Sequence, residues 1–279
     1  MIWRIRGRDI DLTQRGMVMG VINVTPDSFS DGGSFFSTEE AVAHSRTLIA
    51  QGADILDIGG ESTRPGAESV PCEEETRRVV PVIKALRAES DVLISIDTSK
   101  AAVAEVALQA GADIVNDVTG LRGDPAMSQV ARDAGAGVVI MHMQGTPRTM
   151  QAAPTYGDVS AEVRDFFRHA AERALASDLD PMSIAFDPGI GFGKTFDHNR
   201  ELLRNLPLFV ALGRPVVVGV SRKSFLGTLA GSTAITERFW PGVALTSFCR
   251  EKGARVVRVH DVQPHREALR MTEAILGDA

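Results

Sequence analysis

Eight short apolar runs, each followed by polar or glycine-rich chain, recur through the sequence: MVMGVIN (17–23), ADILDIGG (53–60), VLISIDT (92–98), ADIVNDV (112–118), GVVIMH (137–142), SIAFDPG (183–189), PVVVGVS (215–221) and RVVRVHD (255–261). Near-continuous hydrophobic runs rich in β-branched residues are strands buried on both faces, as in a parallel sheet covered by helices. Segments with helical spacing lie between them, such as TEEAVAHSRTLIAQGA from Thr38, EEETRRVVPVIKALRAE from Glu73 and KAAVAEVALQAGA from Lys100, several closing on glycine as a helix stop does. The runs repeat roughly every 34 residues, the length of one strand–helix unit. Eight such units point to an α/β chain closed as a (β/α)8 TIM barrel, with an open doubly wound sheet as the alternative.

Residues 1–16 fit no strand–helix unit. WRIR and DIDL around Gly7 read instead as a β-hairpin capping the barrel floor. No linker or shift in composition divides the chain, so residues 1–279 are expected to form a single domain. Composition then narrows the function classes. With 30 Lys and Arg against 36 Asp and Glu, the net charge of −6 offers no broad basic field for nucleic acid or anionic lipid. No stretch approaches the 18 or so uninterrupted apolar residues that span a membrane, and the first residues carry charges where a signal peptide would be apolar. The expectation is a cytoplasmic protein with neither a nucleic-acid nor a membrane partner. Cys72 and Cys249 stand far apart without a CxxC or Cys/His cluster, which argues for reduced thiols over a disulfide framework or a zinc site.

In barrels of this kind the chemistry sits where the strands end and the loops into the helices begin. The polar residues there are Asn23, Asp57 and Glu61, Asp97, Asn116 and Asp117, His142, Asp187, Ser221 and Lys223, and Arg258 and His260. Alternation along the last run puts Arg258 and His260 on the face opposite Val257 and Val259, so valines packed on helices send the Arg and His into the barrel mouth. An inward Arg is costly without an anion to meet it. Two loops, NVTPDSFSDGG (23–33) and GGESTRPGA (59–67), follow strands at this end, and Thr63 and Arg64 supply a hydroxyl and a fork of donors suited to phosphate. DPGIGFGKT (187–195) looks like a phosphate-binding P-loop but has Pro188 where that loop needs its first glycine, so the amide cradle would lose a donor.

Taken in order, NVTPDSFSDGG, DIGGESTRPGA, SIDTSK, IVND, MHMQGTP, DPGIGFGK, GVSRKSFLG and RVHDV resemble dihydropteroate synthase, the folate-pathway enzyme, over nearly the whole chain. The resemblance implies condensation of a dihydropterin methyl diphosphate with 4-aminobenzoate, releasing diphosphate. It implies that Asp187 and Asn116 read the pterin edge, that Asp97 contacts the ring, that Lys223 reaches its carbonyl and ring nitrogen, and that Met141 and Phe192 line the slot. Arg258 would stack on the ring while its fork meets phosphate, and His260, Arg64 and Thr63 would complete a diphosphate clamp. Asn23 would be the protein ligand of Mg2+, the expected cofactor. Asn23, Asp97, Lys223, Arg258 and His260 form the implied catalytic set. Phe29 and Pro65 would wall the 4-aminobenzoate ring, Asp31 would help order the first loop, and Ser221 would stand at a helix start beside the carboxylate.

An aryl sulfonamide, resembling 4-aminobenzoate in shape and polarity, is the expected inhibitor. FWPGVALTSFCREKG (239–253) resembles the helices that pair in family dimers, so a homodimer is expected. Two alternatives stay open. A methyltetrahydrofolate-type pterin-binding methyltransferase would share Asp97, Asn116 and Asp187 without needing a diphosphate clamp. A non-catalytic paralogue would keep the barrel and only bind a ligand.

Overall fold

The structure, a computed structural model, describes residues 1–25, 38–64, 66–232 and 234–277. A two-stranded antiparallel hairpin, β1 (Ile2–Ile5) and β2 (Arg8–Asp11), comes first. The eight runs then supply β3 (Met17–Asn23), β4 (Ile55–Gly59), β5 (Leu93–Asp97), β6 (Ile114–Asp117), β7 (Gly137–Met141), β8 (Ile184–Asp187), β9 (Val217–Gly219) and β10 (Val256–Val259). Between and after them lie α1 (Thr38–Ala50), α2 (Cys72–Arg87), α3 (Ala101–Ala110), α4 (Met127–Ala134), α5 (Val159–Ala176), α6 (Phe196–Arg204), α7 (Leu206–Val210), α8 (Ser224–Ala230), α9 (Phe239–Glu251) and α10 (Val262–Leu276).

The eight strands of the sheet are parallel in the order β8-β7-β6-β5-β4-β3-β10-β9, and a bridge between Phe186 and Val216 joins its two ends into a barrel. That seam is thin because Pro215 has no N–H to give; the contact is made the other way, from Phe186 N to the Pro215 carbonyl at 2.9 Å. Strand alternation divides the core. Val18, Leu56, Ile94, Val115, Val138, Val218 and Val257 face outward into the layer shared with the helices. Met19, Ile55, Leu93, Ile114, Val139, Ala185, Val217 and Val256 face inward and fill the lower barrel.

The hairpin closes this lower layer from beneath. Trp3, Ile5 and Leu12 are buried in the inward-facing cluster, and Trp3 Nε1 donates to the Ser183 carbonyl at 2.7 Å. The connecting residues Arg6 and Gly7 have φ of 52° and 71°, the left-handed geometry of a tight hairpin turn, which is unusual for an arginine. Arg6 offsets the strain through its neighbours. Its N–H donates to the Gly135 carbonyl at 2.8 Å, and its guanidinium donates to the carbonyls of Leu108 and Ala134, at the C-terminal ends of α3 and α4 where positive charge is favoured. Trp3→Ala is expected to cost about 3–5 kcal/mol in urea unfolding. A cost below about 1 kcal/mol would show the hairpin to be decoration rather than core.

Candidate active site

The alternation that fills the floor with apolar side chains continues upward into polar ones. On the inward face of the strands come Asn23, Asp57, Ser95, Asp97, Asn116, Met141, Asp187 and Arg258, with Asp97 beside Asn116 and Met141 beside Asp187 in the strand register. Thr63, Asp97, Asn116, Met141, Asp187, Phe192, Lys223 and Arg258 line one cleft. Eight of the expected pterin and phosphate residues therefore meet in one place, drawn from five strands (β5, β6, β7, β8 and β10) and from the loops after β4, β8 and β9.

Arg258 does not wait for an anion from solution. Its Nε donates to Asp57 Oδ2 at 2.6 Å and its Nη2 to Asp97 Oδ2 at 2.8 Å, and Asn116 Nδ2 donates to the same Asp57 oxygen at 3.1 Å. This is the physical answer to an arginine inside a barrel: two carboxylates from neighbouring strands pair with it. Asp57 is thus part of the site's framework, although the sequence reading gave it no ligand role. Three buried oxygens nearby, Asp57 Oδ1, Ser95 Oγ and Asp97 Oδ1, have no hydrogen-bond partner. Burial pushes the Asp97 carboxyl up to about 7 against the pull of Arg258, with the neighbouring Asp57 adding to the rise.

Asp187 is also buried, which raises its carboxyl, and the Gly189 N–H at 2.7 Å from Oδ1 opposes that rise together with Lys223 and Arg258. Burial and repulsion by Arg258 bring the Lys223 ammonium down to about 8. Its Nζ lies 4.1 Å from the centroid of the Phe192 ring. The loop carrying Phe192 depends on glycine. A Cβ on Gly189, at φ 66°, would sit 1.9 Å from the His142 carbonyl oxygen, and one on Gly193 2.5 Å from that of Gln144.

A larger cleft of about 390 Å3 is lined by Asn23, Arg64 and His260 together with His44, Arg222 and Asp261. Thr63 and Arg64 are consecutive, and Arg258 and His260 alternate on one strand exit, so each pair contributes to both clefts. Burial and the cations of Arg258, Arg222 and Lys223 push the His260 imidazole down to about 3, so it enters as a neutral hydrogen-bonding group. Ser221 is buried with its hydroxyl accepting from His260 N at 3.3 Å and lying 3.3 Å from His260 Nδ1, so its side chain is engaged within the protein. Among the described residues no group of three His, Cys, Asp or Glu side chains could cage a metal.

Three strand-end residues stand outside the mouth. Asp117 follows the outward-facing parity and accepts from Thr119 N, Thr119 Oγ1 and Leu121 N, fixing the loop after β6. His142 Nδ1 lies 3.1 Å from Lys194 Nζ, behind the cleft. Glu61 receives Lys100 Nζ and Val70 N, each at 2.6 Å, and so ties the base of the second loop. Phe29, Asp31 and Pro65 lie outside the described residues.

Residues 19–260 match the pterin binding enzyme family. The dihydropteroate synthase of Synechocystis sp. is 46% identical over 265 residues, covering 95% of this chain and 92% of its own. The fold is similar to the crystal structure of Yersinia pestis dihydropteroate synthase in complex with a sulfonamide drug, with a TM-score of 0.93 and 42% identity over 99% of this chain and 100% of the other. It is also similar to Xanthomonas albilineans dihydropteroate synthase in complex with 7,8-dihydropteroate, with a TM-score of 0.88 and 42% identity over 98% of each chain.

Proposed function

The chain belongs to the dihydropteroate synthases, a family of pterin-binding transferases in folate biosynthesis, and we propose that its barrel mouth carries out that family's reaction with the residues assembled above. The methylene carbon of (7,8-dihydropterin-6-yl)methyl diphosphate bonds to the amino nitrogen of 4-aminobenzoate. The carbon–oxygen bond to diphosphate breaks with its electron pair leaving on oxygen, the amine gives its proton to solvent, and the products are 7,8-dihydropteroate and diphosphate. The observation that carries this reading is the single cleft in which Asp187, Asn116, Asp97 and Lys223 converge between Met141 and Phe192. Carboxylate, amide and ammonium in one slot match the alternating donors and acceptors of a pterin, and a competitor lacking them would leave buried groups unpaired.

In this reading Asp187 and Asn116 bind the aminopyrimidine edge, and the unpartnered Asp97 Oδ1 meets a ring nitrogen. Lys223 leaves the Phe192 face to bind the pterin carbonyl, since the cleft as it stands has only about 10 Å3 of free space. Electron donation from the ring into the methylene carbon favours a dissociative, cation-like transition state, so the amine needs no strong base. Thr63, Arg64, Arg258 and neutral His260 surround the diphosphate with donors. Phe29 and Pro65 wall the 4-aminobenzoate, with the backbone near Ser221 toward its carboxylate. An aryl sulfonamide, the ligand class named for the Yersinia pestis relative, would compete with 4-aminobenzoate.

The donor set fits Mg2+ in one way. With no three-ligand cluster among the described residues, the hard amide oxygen of Asn23 in the diphosphate-side cleft suits a cation that takes its other ligands from diphosphate and water. When bound, Mg2+ neutralises charge on the departing diphosphate. Diphosphate release is expected only with both substrates and Mg2+ present; release without 4-aminobenzoate at the same rate would overturn the reaction assigned. Calorimetry is expected to find Mg2+ binding only alongside a diphosphate, and micromolar affinity in the ligand-free enzyme, or full activity in excess chelator, would remove Asn23 and Mg2+ from the reading.

We assign the whole chain to one domain acting in the cytoplasm as a homodimer. No helix among the described residues is long and apolar enough to cross a membrane, and both cysteines are free. The dimer reading is supported by α9 and α10, neighbouring helices that expose Trp240 and Ile275 by 71% and 78%. A monomer in sedimentation at micromolar concentration would overturn it.

A further inference from the structure

The lysine of DPGIGFGKT remains without a role: its loop lacks the glycine of a phosphate cradle, and Lys194 is not among the residues lining the pterin cleft. It is nonetheless buried, with 3% of its surface exposed. Its Nζ has three acceptors in range, the Phe192 carbonyl at 2.9 Å, His142 Nδ1 at 3.1 Å and the His142 carbonyl at 3.2 Å. An ammonium has three protons and no lone pair, so the set is filled, and His142 must present an unprotonated Nδ1. Burial and the Lys194 charge push that imidazole down to about 2, in keeping with an acceptor.

Apart from the Asp187 carboxylate, which accepts from Gly189 N, the other groups bonded to the loop are neutral. Phe192 N donates to the Gly189 carbonyl at 3.0 Å, Gly191 N to Asn199 Oδ1 at 2.7 Å, Gln151 Nε2 to the Gly191 carbonyl at 2.7 Å and Tyr156 Oη to the Gly193 carbonyl at 2.8 Å. Lys194 is the cationic group that hydrogen-bonds the loop from behind the cleft. It grips the carbonyl of the residue whose ring walls the cleft, and it joins that loop to His142, next to Met141 on the same wall. Burial brings the Lys194 ammonium down to about 7, and its attraction to Asp187 at the root of the loop opposes that fall and favours the charged form.

We propose that Lys194 is a positioning residue for the pterin half of the site: from behind the cleft it locks the loop that carries Phe192 and sets a buried positive charge against Asp187. This rests on the pterin cleft assigned above. Phe192 then holds one plane whether or not ligand is present, and the loop need not be ordered at the expense of binding.

The test is steady-state kinetics and pterin binding by Lys194→Met, with Asp187→Ala beside it as the control on the cleft itself. Lys194→Met is expected to raise KM for the pterin diphosphate about tenfold, with kcat and KM for 4-aminobenzoate within about twofold. The acid limb of pterin binding should also move to higher pH, because the ionised form of Asp187 is then favoured by the Gly189 N–H, Lys223 and Arg258 alone. Tyr156→Phe, a milder change that deletes one bond to the same loop and no buried charge, should raise the pterin KM about two- to threefold with the acid limb unmoved. A lower unfolding temperature with pterin KM and acid limb unchanged in Lys194→Met would make the lysine merely structural and overturn the proposal. Should that variant not fold, an unchanged pterin KM in Tyr156→Phe overturns it instead. Pterin binding lost in Asp187→Ala but intact in Lys194→Met sinks the proposal alone; normal binding in Asp187→Ala sinks the cleft as well.

Discussion

Asp187→Ala is expected to weaken binding of the pterin diphosphate by about 100-fold or more, with the enzyme still folded. The carboxylate sits at the end of β8, nearly enclosed, where each charge-assisted hydrogen bond to a ligand is worth about 1.5–3 kcal/mol, and a pterin amine and ring N–H would use two. Substitution also strips the Gly189 N–H of its acceptor at 2.7 Å, so Ala alone confounds ligand loss with loop disturbance. Asp187→Asn separates them. Its amide oxygen can keep the Gly189 bond while the NH2 group turns a donor toward donors on the pterin, so binding should fall nearly as far with a smaller change in unfolding temperature. Calorimetric titration with the pterin diphosphate, paired with thermal unfolding of each variant, reads both effects. Severe loss of stability with unchanged pterin affinity would show Asp187 to be structural.

Arg258→Met should be the most damaging single change to the framework. The thioether leaves Asp57 and Asp97 facing each other in the barrel with no cation between them, and breaking a buried pair in this way typically costs about 3–5 kcal/mol. The pH dependence has a definite sign. The Asp97 carboxyl already titrates at about 7 in the folded protein, above its ordinary range, so its contribution to stability is present below that range and declines as pH rises through about 7. Without Arg258 the folded-state value rises further. The variant's deficit relative to wild type should therefore be smallest near pH 5 and grow toward pH 8 in urea unfolding. Adding Asp57→Asn should return part of the stability and none of the turnover, which a double-mutant cycle resolves. A deficit independent of pH would mean that the two carboxylates are not what Arg258 restrains.

The barrel was legible because burial on both faces leaves a plain mark: each of the eight strands falls inside its apolar run, and β3 matches residues 17–23 end to end. β9 is only three residues long because Pro215 and the turn at Ser221 trim it from both sides. At the site, the alternation that turns Arg258 inward holds along every strand. Counted upward from Ile55, it places Asp57 inward as the natural partner of Arg258; counted from Ile114, it places Asn116 inward and sends Asp117 outward. Past the last strand residue the two-residue period no longer holds, and this is why His142, Lys194 and Ser221 could not be sorted. What Lys194 binds is set by two loops folding against each other, a relation between residues 52 positions apart. The charge state of His260 is likewise set by burial together with Arg258, Arg222 and Lys223 in space, which no local pattern encodes.

The hairpin under the barrel has a consequence for the order in which the chain is made. Trp3 leaves the ribosome before any strand of the barrel, yet the carbonyl that receives its indole N–H belongs to Ser183, 180 positions later. At about 5–20 residues per second that delay is on the order of 10–40 s. Throughout it the indole, Ile5 and Leu12 have no completed floor to enter, because β8, β9 and β10, which provide Ala185, Val217 and Val256, are still unmade. The nascent chain thus carries these apolar side chains while most of the barrel is being made and buries them only as the sheet closes on itself. A piece that looks like a finishing plug in the folded molecule is, in time, the piece that waits longest for its place.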